Sequence, residues 1–67
     1  MDRREARLQL IAEMNELIRL RNIVNTRHTN GFTPLVKPIT GLKQINRAVM
    51  MARKYGGYEQ LIQNAGF

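Results

Sequence analysis

Apolar residues recur at three- and four-residue intervals through the first third of this 67-residue chain. In "REARLQLIAEMNELIRLRNIV" the positions Leu10, Ile11, Met14, Leu17, Ile18 and Val24 fall on one side of a helical wheel, the signature of an amphipathic helix. Asp2 is placed to cap its start, and Glu5 follows three residues later, as in a capping box with Asp in the Ser/Thr place. Glu13 and Glu16 precede Arg19 and Arg21 at spacings that allow pairs along the helix surface. The pattern predicts a helix over residues 3–24.

This helix is apolar beyond its main stripe, since Leu8, Leu20 and Ile23 would widen its buried arc. Leu10, Leu17 and Val24 stand seven residues apart with Met14 between them, the spacing of a dimeric helical seam. Arg7 and Arg21 fall at the alternate seam positions and argue against a long regular coiled coil. Two readings stay open: a short antiparallel homodimer through Leu10, Met14, Leu17 and Val24, or a wide helix covered by the rest of its own chain.

From residue 25 to residue 40 the periodicity stops. "NTRHTNGFTPLVKPIT" carries Asn-Gly, Thr-Pro and Lys-Pro, three turn or extension signals, and each proline biases its predecessor away from helix. The expectation is a long loop over 25–40, pinned to the core by Phe32, Leu35, Val36 and Ile39, with at most a short strand over 33–36. Arg27, His28 and Asn30 cluster in it. They could meet a phosphate or a groove, although a solvated turn about Asn30–Gly31 is the plainer reading.

Helical signals return at Thr40, read as an N-cap for "GLKQINRAVMMARKY". In a helix over 41–55, Leu42, Ile45, Ala48, Val49, Ala52 and Tyr55 share one broad face, and Lys43, Arg47 and Lys54 converge opposite it to within about 40°. Gly56 ends this helix in the left-handed region. A last short helix over 58–65 turns Tyr58, Leu61, Ile62 and Ala65 inward, and Gly66 closes it. The fold class expected is all-α in a single domain: a long N-terminal helix, an ordered Pro/Gly loop, and two C-terminal helices joined at a Gly-Gly turn.

Composition changes this picture in three ways. A chain this short buries only about 60% of its unfolded surface, and without cysteine it has no disulfide to compensate, so helix packing or a second copy must carry the fold. The start of the chain leads into an amphipathic stretch and no apolar run is membrane-length, so neither a signal peptide nor a membrane partner is expected, and the cytoplasm is the expected compartment. The net charge of +6 is uneven. Residues 1–24 hold five arginines against four acids, whereas residues 25–67 hold Arg27, Lys37, Lys43, Arg47, Arg53 and Lys54 against Glu59 alone. Charge concentrated in this way points to an anionic partner, nucleic acid first.

Enzymatic chemistry finds no foothold. The chain lacks serine and cysteine, its glycines form no phosphate-cradling loop, and a lone histidine makes no metal site, so no catalytic residue, metal or cofactor is expected. The Lys43/Arg47/Lys54 stripe, flanked by Arg53 and assisted by Lys37 and Arg27, suits the phosphates of DNA. An ordinary solvated helix face is the bland alternative. Met50 and Met51 beside the cations suit an adaptable contact surface, which could equally take a protein partner. In the last helix Gln60, Gln63 and Asn64 could read adenine edges, but Glu59 near its start would face phosphates unfavourably, and packing is its expected role.

The tail "KYGGYEQLIQNAGF" resembles the end of the short repeats found beside HNH-type homing endonuclease domains, which close with an aromatic, a glycine, another aromatic, an apolar pair and Ala-Gly-apolar. Tyr55, Gly56, Tyr58, Leu61, Ile62, Ala65, Gly66 and Phe67 are the matching residues. The resemblance implies a small helical module that contacts DNA, and it carries over no nuclease residue. It departs from the pattern at Gly57 and Tyr58, where a second small residue and a tryptophan commonly stand. The sequence thus reads as a small basic DNA-binding or transcription-regulating protein of the phage or mobile-element type, with an inhibitor or adaptor that binds a protein through the same face as the alternative.

Overall fold

The computed structural model describes residues 2–29 and 35–67, with side chains throughout except at His28 and Thr29. The fold is all-α, with α1 at Arg3–Thr29, a 3-10 turn at Leu42–Gln44, α2 at Ile45–Tyr55 and α3 at Glu59–Asn64. At 1.5 Å per residue, 27 residues of α1 measure roughly 40 Å. That accounts for the long dimension of the 42 × 22 × 15 Å body. Helices α2 and α3 pack on one side of this rod.

The Asp2 carboxylate accepts a hydrogen bond from the Glu5 N–H at 2.8 Å, capping the start of α1 as its spacing predicts. Helix α1 then runs five residues beyond the expected end at residue 24. Loss of apolar periodicity removes the reason to bury a face, but it does not break a backbone. Nothing in Asn25–Thr29 is a glycine or proline, and the Thr26 hydroxyl donates back to the Asn22 carbonyl at 2.8 Å. Arg27 and the His28 backbone are therefore helical. The side chain of His28, together with Asn30, the Asn30–Gly31 turn, Phe32 and the first half of the suggested strand at 33–34, lies outside the described residues.

The core is built from Leu10, Ile11, Met14 and Ile18 of α1, Ile39 of the segment between helices, Ala48, Val49 and Ala52 of α2, and Ile62 of α3. Leu10 and Met14 are wholly buried within the single chain, so they are unavailable to the dimer seam that their spacing allowed. Leu17 is half-buried and Val24 exposed. Leu8, Leu20 and Ile23 do not widen the buried arc either, for they are 46%, 48% and 38% exposed. The physical reason is that α1 is covered on one side only. Arg7 and Arg21, which looked like seam breakers, serve contacts within the chain. Arg7 Nε donates to the Ala65 carbonyl at 3.0 Å and its guanidinium lies 5.0 Å from the Phe67 ring, while Arg21 lies 5.5 Å from the Tyr55 ring.

Residues 35–40 run extended along α1 without strand pairing. Ile39 is buried and Val36 packs against the core, but Leu35 is 59% exposed and stays outside the core. The segment is held by two asparagines instead. Asn15 exchanges two hydrogen bonds with the backbone of Ile39 (2.9 and 2.7 Å), and Asn22 exchanges two with Val36 (3.0 and 3.1 Å).

Thr40 is not the N-cap that it was expected to be. The cap position falls on Gly41 without a side-chain bond, and Gln44 reaches back to accept from the Thr40 N–H at 3.1 Å. At the other end Gly56 takes φ 72° and ψ 170°, a region essentially reserved to glycine, as its N–H bonds the Ala52 carbonyl at 2.9 Å. The tail closes as a Schellman motif: Phe67 N–H to Ile62 carbonyl at 3.1 Å, Gly66 N–H to Gln63 carbonyl at 3.0 Å, and Gly66 at φ 89°.

Candidate nucleic-acid interface

Helix α2 owes its position to Ala48, Val49 and Ala52, which bury one face and leave the opposite face in solvent. Lys43, Arg53 and Lys54 are exposed there, and Arg47 is half-buried. The 3-10 turn winds more tightly than an α-helix, so Lys43 stands roughly 80° from Arg47 around the axis instead of 40°. That rotation carries Lys43 towards Arg53. The cations therefore spread over a broad face and do not form a narrow stripe.

Arg47 has structural work of its own. One guanidinium nitrogen donates to the Lys37 carbonyl at 2.9 Å, which ties the extended segment to α2. The bond brings Lys37 and Arg47 together and leaves the Lys37 side chain exposed. Arg53 and Lys54 occupy the last turn of α2, where cations oppose the negative end of the helix dipole. The Lys54 ammonium lies 5.9 Å from the Tyr55 ring, and with Arg21 it gives that ring two cationic neighbours. Tyr55 was expected in the core but is 36% exposed. Arg27 does not join this face. It lines a shallow recess on α1 with Asn22, Ile23, Thr26 and Leu35.

The two methionines divide. Met50 is 62% exposed amid the cations, whereas Met51 is half-buried and packs against the core, so Met51 is a core residue more than a contact residue.

Among the described residues the ion pair is Glu16–Arg19 on α1, with Arg19 Nη2 2.6 Å from Glu16 Oε1. The Arg19 hydrogen bond, and secondarily its charge, holds the Glu16 carboxyl below its ordinary pKa. No carboxylate pairs with Lys37, Lys43, Arg47, Arg53 or Lys54 among those residues. Nor does any group of three or more acidic or histidine side chains there come close enough to hold a metal.

Helix α3 offers little to a groove. It is six residues long, its Gln60 side chain donates to Asn64 at 3.0 Å, and Glu59 accepts from the Gly57 N–H at 3.2 Å. Sequence reasoning passed over Asn15, Asn22, Arg21 and the exposed face of Tyr55. The asparagines had one readable signal: two poor helix formers, seven apart, inside an amphipathic helix. Arg21 and Tyr55 belong to different helices, and no spacing along the chain announces their contact. No helix among the described residues is long and apolar enough to cross a membrane. Neither a family model, nor a curated protein, nor a solved structure matches the chain.

Proposed function

We propose that this is a small, non-enzymatic DNA-binding protein, acting in the cytoplasm as a transcription regulator of the phage or mobile-element type. The observation that carries the reading is the solvent-facing side of α2, where Lys43, Arg53 and Lys54 stand exposed with no ion-pair partner among the described residues, adjoined by Lys37 and Arg21. Cations so placed exchange counterions with a phosphate backbone at little structural cost. The likeness of residues 54–67 to DNA-contacting repeats points the same way. In this reading Lys43, Arg53 and Lys54 contact phosphates, Lys37 assists, and Arg47 both contacts the backbone and holds the extended segment.

The test is binding of a labelled random duplex at low and moderate salt, by the wild type and by Lys43→Glu/Lys54→Glu. Arg47 is left intact because its loss would also release the segment at Lys37. Binding should fall with salt by a slope of about 0.9 per phosphate neutralised and be lost in the double variant. A wild type that does not bind at low salt overturns the reading. Exposed Met50 favours a second reading, an adaptor or inhibitor that meets an acidic protein surface. Duplex binding that survives Met50→Ala unchanged speaks for DNA.

A further inference from the structure

Beside its buried face α1 carries an apolar strip that the other described residues leave largely exposed. Leu20, Ile23 and Val24 are 48%, 38% and 49% exposed, and Leu17 lies half-buried at the edge. Glu13 stands seven residues before Leu20 on the same strip, and Arg27 seven residues after it, both exposed. The positions 13, 17, 20, 24 and 27 follow heptad spacing; they continue the row of Leu10 past its buried end and lie on the side of that row away from Met14. We propose that a second copy of this chain docks on this strip, its α1 antiparallel and crossing at Leu20.

Charge selects both the occupant and its direction. A parallel copy would set Glu13 against Glu13 and Arg27 against Arg27. An antiparallel copy sets each Glu13 against the partner's Arg27, about 10 Å along the axis on either side of Leu20. The result is a two-fold contact in which the same pair occurs twice, with the apolar residues between. Neither Glu13 nor Arg27 has an ion-pair partner among the described residues of its own chain, so both are available. A chain of 67 residues gains from such a contact the burial that its own core lacks. No residue of the α2 face takes part, and the proposal is independent of nucleic-acid binding.

Sedimentation of the wild type across a concentration series should show a monomer–dimer equilibrium. Leu20→Glu should raise the dissociation constant by about tenfold or more. Its helical circular dichroism should stay unchanged, because Leu20 is half-exposed and outside the core, and glutamate is a good helix former. Direction is read by cross-linking, since the chain has no cysteine of its own. Glu13→Cys mixed with Arg27→Cys should oxidise to a disulfide-linked dimer, and neither variant alone should do so. A wild type that stays monomeric at several hundred micromolar overturns the proposal, as does a Leu20→Glu variant that dimerises like the wild type. Preferential linking of Glu13→Cys to itself overturns the antiparallel arrangement.

Discussion

Asn15 and Ile39 exchange two hydrogen bonds across 24 residues of sequence, the side-chain amide donating to the Ile39 carbonyl and accepting from its N–H. The amide thus stands in for the edge of a neighbouring strand. Asn22 does the same for Val36. The match is metric: seven residues of helix rise about 10.5 Å, and three residues of extended chain cover about 10 Å. Two asparagines at this spacing therefore hold an extended segment in register along a helix. They also satisfy backbone groups that burial of Ile39 would otherwise leave unpaired.

Removing the clamp should cost more than its net hydrogen-bond energy. Asn15→Ala leaves a partly buried N–H and carbonyl without partners, at about 1–3 kcal/mol each when water cannot reach them; because the site is only partly buried, the expected loss is the lower part of the summed range, about 2–4 kcal/mol. Asn22→Ala should cost less, because Val36 is only half-buried. Denaturant titration measures both. A loss below about 0.5 kcal/mol for Asn15→Ala, inside the range of neutral surface changes, would show that the clamp is ornamental.

Gly56 supports a sharper expectation. At φ 72° and ψ 170° a side chain is strained even though a Cβ there would meet nothing within 4 Å. Gly56→Ala should therefore destabilise by about 1–3 kcal/mol through backbone strain alone. Relief of a crowded contact cannot mask the effect. Equal thermal stability of Gly56→Ala and wild type would mean that the α2–α3 junction relaxes to another conformation.

The Glu16–Arg19 pair gives a pH dependence with a definite sign. The carboxyl pKa is lowered in the folded state, so its contribution is present above the ordinary carboxylate value and is lost as pH falls through the lowered one. The pair is exposed and one helical turn long, so the effect should be small and screened by salt. Melting curves of wild type and Glu16→Gln should differ slightly at neutral pH in low salt. They should converge on acidification. A difference that grows as pH falls would contradict the assignment.

Periodicity alone determined the three helices, the all-α class and most of the core, because an amphipathic helix must turn its apolar stripe inward wherever its neighbours lie. Glycine chemistry likewise marked the ends of α2 and α3, since Gly56 and Gly66 adopt backbone conformations that other residues avoid. Tertiary structure decided which of several apolar positions on α1 are covered. Leu10 and Leu20 look alike in sequence, yet one is fully buried and the other half-exposed, because α2 and α3 lie on one side of the rod. It also decided that Arg47 is tethered to Lys37, that Arg21 meets Tyr55, and that two asparagines clamp a segment which no periodicity describes. Such contacts join residues distant along the chain, and their energies depend on where the helices come to rest against one another. Local pattern carries no record of that.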